Sequence, residues 1–197
     1  MGQREIMSTT LTHSETLLAD IGCAWKTMPP KPRVLIGGLG LGYSLRRTLE
    51  LTGKGAKVVT AELLPEIVRW NRELLDGLND EILNDPRTEI VPEDVYELIH
   101  RAAMEGPRYD AILLDVDDGP SSLIQPQNSQ LYNRGGLQKL KDGLNPGGRI
   151  AFWTAGPEPR LLKALRRAGY QAEEIPCAKH IRAKRKVHRI YLATCRN

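Results

Sequence analysis

The apolar residues of this chain fall into two alternating patterns. Short continuous runs at 33–36, 57–61, 88–91, 109–115 and 149–154 contain little polar interruption, which is the signature of strands buried on both faces. Between them the apolar positions recur at helical spacing. Residues 12–25 carry Leu17, Leu18 and Ile21 on one face until the prolines of 28–32 end the pattern. Further helices are expected at 43–51, 66–78 (opened by Pro65), 93–104, 131–144 and 159–168, with Gly135-Gly136 interrupting or preceding the fifth. A turn at Asn145-Pro-Gly-Gly148 leads into the strand at 149–154, and strands at 170–175 and 187–194 close the series as an antiparallel pair. This alternation predicts an α/β fold, a doubly wound and mostly parallel seven-stranded Rossmann-like sheet. We expect one globular domain over 31–197, preceded by an N-terminal helical segment over 1–30.

The first strand empties into Gly37-Gly-Leu-Gly-Leu-Gly42, which places Gly38, Gly40 and Gly42 at alternate positions. Glycines at such a place let the backbone turn tightly and approach a ligand closely. The second strand ends on Glu62, a carboxylate able to accept both hydroxyls of a ribose, with Leu63 beside it. Strand, loop, helix, strand and acid in that order read as a nucleoside pocket. The dinucleotide pattern G-x-G-x-x-G breaks at Tyr43, and no Gly-Lys-Ser/Thr follows as a phosphate loop would need. G-x-G-x-G is the spacing found in S-adenosylmethionine enzymes, where no pyrophosphate has to be cradled.

In open α/β sheets, ligands bind beyond the carboxyl ends of the strands, so acids there are candidates. Asp94, next to Glu93 after the third strand, can accept from an adenine amino group or cap the following helix. Asp115-Val-Asp-Asp118 after the fourth strand gathers three carboxylates within four residues. Such a group is kept most easily around a cation: an amine, a metal ion or a sulfonium. No further acid cluster completes a shell for a hard metal, and the histidines show no metal spacing, so no metal is assigned. His100 is expected at the surface, and Tyr132 either lines the acceptor pocket or packs on the sheet.

Composition adds limits. No apolar run approaches the roughly 20 residues needed to cross a bilayer, and the first residues lack the apolar core of a secretion signal. Cys23, Cys177 and Cys195 are far apart and odd in number, as expected of buried free thiols in a reducing cytoplasm. The net charge of +4 is uneven: seven Lys or Arg and no acid lie between 175 and 197, and the rest of the chain carries 21 basic and 24 acidic residues. The segment from Lys179 to Arg189 is either a solvated loop or a contact for an anionic partner such as nucleic acid, although no aromatic side chain lies within it to stack bases.

Over residues 33–154 the chain resembles the spermidine synthase family, the aminopropyltransferase branch of the S-adenosylmethionine methyltransferase fold. The likeness rests on V-L-I-G-G-L-G-L-G-Y-S-L-R, V-V-T-A-E, E-D-V-Y-E-L and Y-D-A-I-L-L-D-V-D-D-G-P. It implies S-adenosylmethionine or its decarboxylated form as cofactor, Glu62 as the ribose acid and Asp94 as the adenine acid. It also implies Asp115 and Asp118 as the pair that holds and deprotonates an amine, and a homodimer. Three features depart from the family. Leu41 stands where its synthases carry an acid that contacts the aminopropyl group; about 30 residues precede the first strand where they carry a β-domain; and the segment 179–189 replaces their tyrosine-containing polyamine loop. The resulting expectation is a transferase that alkylates a small-molecule amine, with methyl transfer placed ahead of aminopropyl transfer because of Leu41. A nucleoside- or RNA-binding module without chemistry is the other reading.

Overall fold

The computed structural model describes residues 13–75, 79–116, 119–123, 126–178 and 185–195. Its centre is one seven-stranded sheet in the order β3-β2-β1-β4-β5-β7-β6. The strands are β1 (Arg33–Gly37), β2 (Lys57–Ala61), β3 (Thr88–Val91), β4 (Tyr109–Leu114), β5 (Leu144–Thr154), β6 (Tyr170–Cys177) and β7 (His188–Cys195). Pairings from β3 through β5 are parallel, and β7 runs antiparallel to both β5 and β6. The chain therefore winds outward in both directions from β1, and the crevice between β1 and β4 is the switch point where open α/β sheets take ligands.

Alternate residues of each strand feed opposite faces. Leu35, Val59, Ile112, Leu114 and Phe152 pack on one side with α5 (Val95–Met104), α7 (Arg134–Asp142) and α8 (Pro159–Arg167). Val34, Ile36, Val58, Leu113 and Ala151 pack on the other with α1 (His13–Gly22), α2 (Tyr43–Leu51) and α3 (Pro65–Glu73). Coverage of both faces explains why the strand sequences are continuously apolar. Leu18 and Ala19 of α1 lie fully inside this second cluster.

Some elements differ from the pattern-based expectation. The helix expected over 66–78 ends at Glu73, and a single turn, α4 (Asp80–Leu83), follows. The helix expected over 131–144 is two: α6 (Ser129–Tyr132) and α7, divided at Asn133. The Asn133 side chain accepts from the Gly136 N–H at 2.9 Å and so caps α7. A Cβ at Gly136 would collide with the carbonyl of Gln130, so this glycine permits the tight junction. The turn at 145–148 is a bulge within β5, where register with β4 shifts between Tyr109 and Ala111. No helix among the described residues is long and apolar enough to cross a membrane.

Candidate functional site

The loop after β1 crosses the carboxyl rim of the sheet with Gly38, Gly40 and Gly42 all at positive φ, 91°, 51° and 80°. Two of them are required for different reasons. A Cβ at Gly38 would stand 2.5 Å from the Asp115 carbonyl, so this glycine lets the end of β4 close against the loop. A Cβ at Gly40 would meet nothing within 4 Å; its bare backbone faces open space at the switch point, where a ligand can approach.

Glu62, buried at the end of β2, ties this loop to the next. Its Oε2 accepts from the Leu39 N–H at 3.0 Å and its Oε1 from the Leu64 N–H at 2.9 Å. Each oxygen keeps lone-pair capacity for a further donor. Leu63 follows with 41% of its surface exposed, although it is apolar. Two buried asparagines hold the loop from below. Asn71 donates to the Gly40 carbonyl at 2.8 Å, Asn79 donates to the Leu41 carbonyl at 2.9 Å, and Asn79 donates to the Asn71 carbonyl oxygen at 2.6 Å. Their side chains supply, from α3 and the start of α4, the donors that a tight loop cannot find within itself.

Asp94 takes the capping role: its Oδ1 accepts from the Tyr96 N–H at 2.9 Å at the start of α5. Glu93 forms an ion pair with Arg101 at 2.6 Å. Both lie after β3, on the rim that carries Glu62, which is anchored to that strand by its own N–H donating to the Val91 carbonyl.

Asp115 directly follows β4, its N–H donating to the Gly37 carbonyl at 3.0 Å. The structure thus brings Asp115, the glycine loop and Glu62 together on one rim. Asp118 lies outside the described residues. Beyond it, Ser121 is gripped by Glu158, which the sequence did not single out. This buried carboxylate accepts from the Ser121 N–H at 3.2 Å and from its hydroxyl, and the Glu158 N–H donates to the Tyr191 hydroxyl at 2.6 Å.

Glu15 was also not singled out. It lies in the first turn of α1, which is fastened to α2 by the Ser44 hydroxyl donating to the Glu15 carbonyl at 3.2 Å. Burial and the nearby Asp115 carboxylate push the Glu15 carboxyl up to about 8, and burial pushes Asp115 up to about 6. Glu15 also bears on Tyr43, whose hydroxyl is raised first by burial and then by the Glu15 charge. One residue before Glu15, the buried Ser14 hydroxyl lies 3.1 Å from His188 Nδ1, and the His188 ring meets Trp153 edge-on at 4.8 Å. The rim therefore presents two carboxyls that repel one another, flanked by aromatic and hydroxyl groups. A cation entering between them would relieve that repulsion.

Other candidates resolve structurally. Tyr132 packs against Phe152 with ring centroids 6.0 Å apart. His100 is half-buried on α5 rather than at the surface, with Nδ1 enclosed. Burial pushes the Cys23 thiol up to about 12 and that of Cys177 to about 11, which suits inert free thiols. Of the basic segment, 179–184 lie outside the described residues. Arg189 belongs to β7 and is spent on Glu174 at 2.7 Å.

No family model matches the chain. It is 33% identical over 122 residues to the polyamine aminopropyltransferase of Pyrobaculum calidifontis, covering 61% of this chain and 41% of that protein. It is 31% identical over 153 residues to polyamine aminopropyltransferase 1 of Streptomyces coelicolor, covering 74% of this chain and 27% of that one. The chain thus spans less than half the length of these curated relatives. Among solved structures, spermidine synthase in complex with the transition state analogue AdoDATO aligns with a TM-score of 0.69 and 21% identity, over 93% of this chain and 60% of that one. Human methyltransferase-like protein 13 in complex with SAH aligns with a TM-score of 0.63 and 20% identity, over 94% and 78%. The fold is that of class I S-adenosylmethionine-dependent methyltransferases, as the sequence led us to expect.

Proposed function

We propose that this chain transfers an aminopropyl group from decarboxylated S-adenosylmethionine to a small-molecule amine. The observation that carries the reading is the convergence of Glu62, the glycine loop and Asp115 at the switch point of the sheet. The residues fit the donor: Gly40 leaves open space beside the loop, the Glu62 oxygens retain acceptor capacity for two ribose hydroxyls, and exposed Leu63 offers an apolar surface next to them. Asp94, engaged as a cap through Oδ1, keeps its other oxygen for the adenine amino group. When bound, the donor supplies a carbon made electrophilic by its sulfonium.

The relatives favour aminopropyl transfer over the methyl transfer placed first from the sequence. That order rested on Leu41, which leaves the loop without an acid for an ammonium group. Glu15 weakens the argument, because α1 brings a carboxyl to the same rim that the loop lacks. An alkyl amine has a pKa near 10.4 and arrives as an ammonium ion. Asp115 and Glu15 bind and orient that charge. Asp115 takes the proton as the nitrogen–carbon bond forms and the carbon–sulfur bond breaks, with methylthioadenosine leaving. A carboxyl raised toward neutrality is a better proton acceptor than an ordinary aspartate, and such help is typically worth roughly 10² to 10⁴ in rate. The Gly37 carbonyl holds the Asp115 backbone, and Glu158 holds Ser121 further along the same loop.

Calorimetric titration with decarboxylated S-adenosylmethionine tests the assignment. Binding that disappears in Glu62→Ala and survives in Asp115→Asn, while turnover is lost in both, is the expected result. Tight binding by Glu62→Ala, or full turnover by Asp115→Asn, would overturn it.

A further inference from the structure

A cavity of about 610 Å³ lies at the opposite rim of the sheet, against the amino end of β5. Its size falls within the usual range for small-molecule sites. The floor is a row of polar side chains in register across three strands: Arg149 on β5 pairs with Thr194 on β7, which pairs with Gln171 on β6. Directly paired residues present their side chains to the same face. One layer up on that face, two residues on from Arg149, Ala151 is buried beneath α1. Helix α1 ends at Gly22, so the row of Arg149 lies beyond its cover, roofed instead by the segment that carries Trp25 and Lys26.

The charge in this cavity is unbalanced. Arg149 Nη1 donates to the Ala24 carbonyl at 2.7 Å, while Nε is buried with no partner. No carboxylate pairs with Arg149 among the described residues. Asp110, the acid in the wall, makes no ion pair with Arg149 and accepts from neutral donors, Oδ2 from the Arg33 N–H at 2.7 Å and Oδ1 from Asn145 at 2.9 Å, so the lining sets two cations against one carboxylate. A partly desolvated guanidinium without an ion-pair partner is costly, and burial lowers its pKa accordingly. Lys26 adds a second positive charge, and the bulge at Gly147 and Gly148 brings backbone to the rim.

We propose that this cavity binds a small oxyanion, a phosphate or carboxylate group, seated against the Arg149 guanidinium with Lys26 closing over it. The site is separate from the donor pocket, being at the other end of the strands. The alternative is that Arg149 only caps the carboxyl end of α1 through Ala24.

The test is calorimetric titration of the full chain with inorganic phosphate and, in a parallel arm, malonate, at constant ionic strength in chloride. Saturable one-site binding of either anion is expected, and the arm that responds identifies the oxyanion. Lys26→Ala and Arg149→Lys should each weaken it, the latter by roughly tenfold because a planar guanidinium is replaced by a point charge on a differently shaped stem. Gln171→Leu provides a third variant of the floor should Arg149→Lys fail to fold, and it too should weaken binding. Neutralising Lys184, Arg185 and Lys186 should leave the titration unchanged, as should saturation with S-adenosylmethionine. Absence of saturable binding in both arms, binding indifferent to Lys26, Arg149 and Gln171, or binding lost with the 184–186 changes would overturn the proposal.

Discussion

The Glu62 carboxylate accepts a hydrogen bond from the Leu39 N–H at 3.0 Å, joining the end of β2 to the glycine loop after β1 across 23 residues of chain. A group read from the sequence as a ligand contact is therefore also the strut that shapes the loop around the ligand. Under the proposed function both duties fall on the same buried oxygens. Glu62→Ala should lower folding stability by about 2–4 kcal/mol, since two backbone donors lose a charged acceptor, and urea denaturation measures it. Glu62→Gln keeps one carbonyl acceptor and should cost less, while still weakening donor binding.

Gly38 and Gly40 should separate by experiment. Gly38→Ala places a methyl group 2.5 Å from the Asp115 carbonyl at a φ of 91° and should destabilise the fold by at least about 2 kcal/mol. Gly40→Ala has open space and a left-handed φ, so its cost is about 1–2 kcal/mol, yet its methyl occupies the face offered to the donor. Thermal melts combined with donor titration should show Gly38→Ala failing mainly in stability and Gly40→Ala mainly in binding.

Asn71→Ala removes the donors that hold the Gly40 carbonyl and the acceptor that holds Asn79. A loss of about 1–3 kcal/mol is expected from the groups left unpaired. Hydrogen exchange at Gly40, Leu41 and Gly42 should quicken more than exchange in the strands.

The carboxyls of Glu15 and Asp115 are raised to about 8 and about 6 in the fold, against roughly 4 when unfolded. Between those limits the folded state binds more protons than the unfolded state, so stability of the free protein should fall as pH rises from about 4 to about 8. Glu15→Gln and Asp115→Asn should each flatten that slope in chemical denaturation. In Asp115→Asn the Glu15 carboxyl, followed by NMR, should titrate lower than in the parent but stay above its ordinary value, because burial is the larger cause. Amine binding near pH 7 should release protons as Glu15 ionises, which titrations in buffers of different ionisation enthalpy will register.

Glu158→Ala releases Ser121, at the far end of the acid loop. We expect turnover to drop roughly tenfold or more with little change in donor affinity, since a loosened loop misplaces the acids without touching the adenosine pocket. Partial rescue by Glu158→Gln, which keeps an acceptor for Ser121, should accompany it.

Much of this arrangement was legible in the sequence because buried parallel strands write themselves as unbroken apolar runs, and because Gly38, Gly40 and Gly42 have few other reasons to alternate. Glu62 and Asp115 were visible as acids ending such runs. Glu15 was not: it sits in a helix whose pattern speaks only of Leu17, Leu18 and Ile21, and its meeting with Asp115 depends on how α1 docks across β4 and β5. Asn71, Asn79 and Glu158 carry no local signal either, since each acts through a loop distant in the chain. Helix ends were read too long where Asn133 and the turn after Glu73 break the period for tertiary reasons.

The central claim is tested most directly by the mass of the amine product. The full chain is supplied with putrescine and with S-adenosylmethionine and its decarboxylated form together. The account predicts a product heavier by one aminopropyl group, formed with methylthioadenosine and abolished by Asp115→Asn. A methylated amine, or no new amine with either donor, would contradict it.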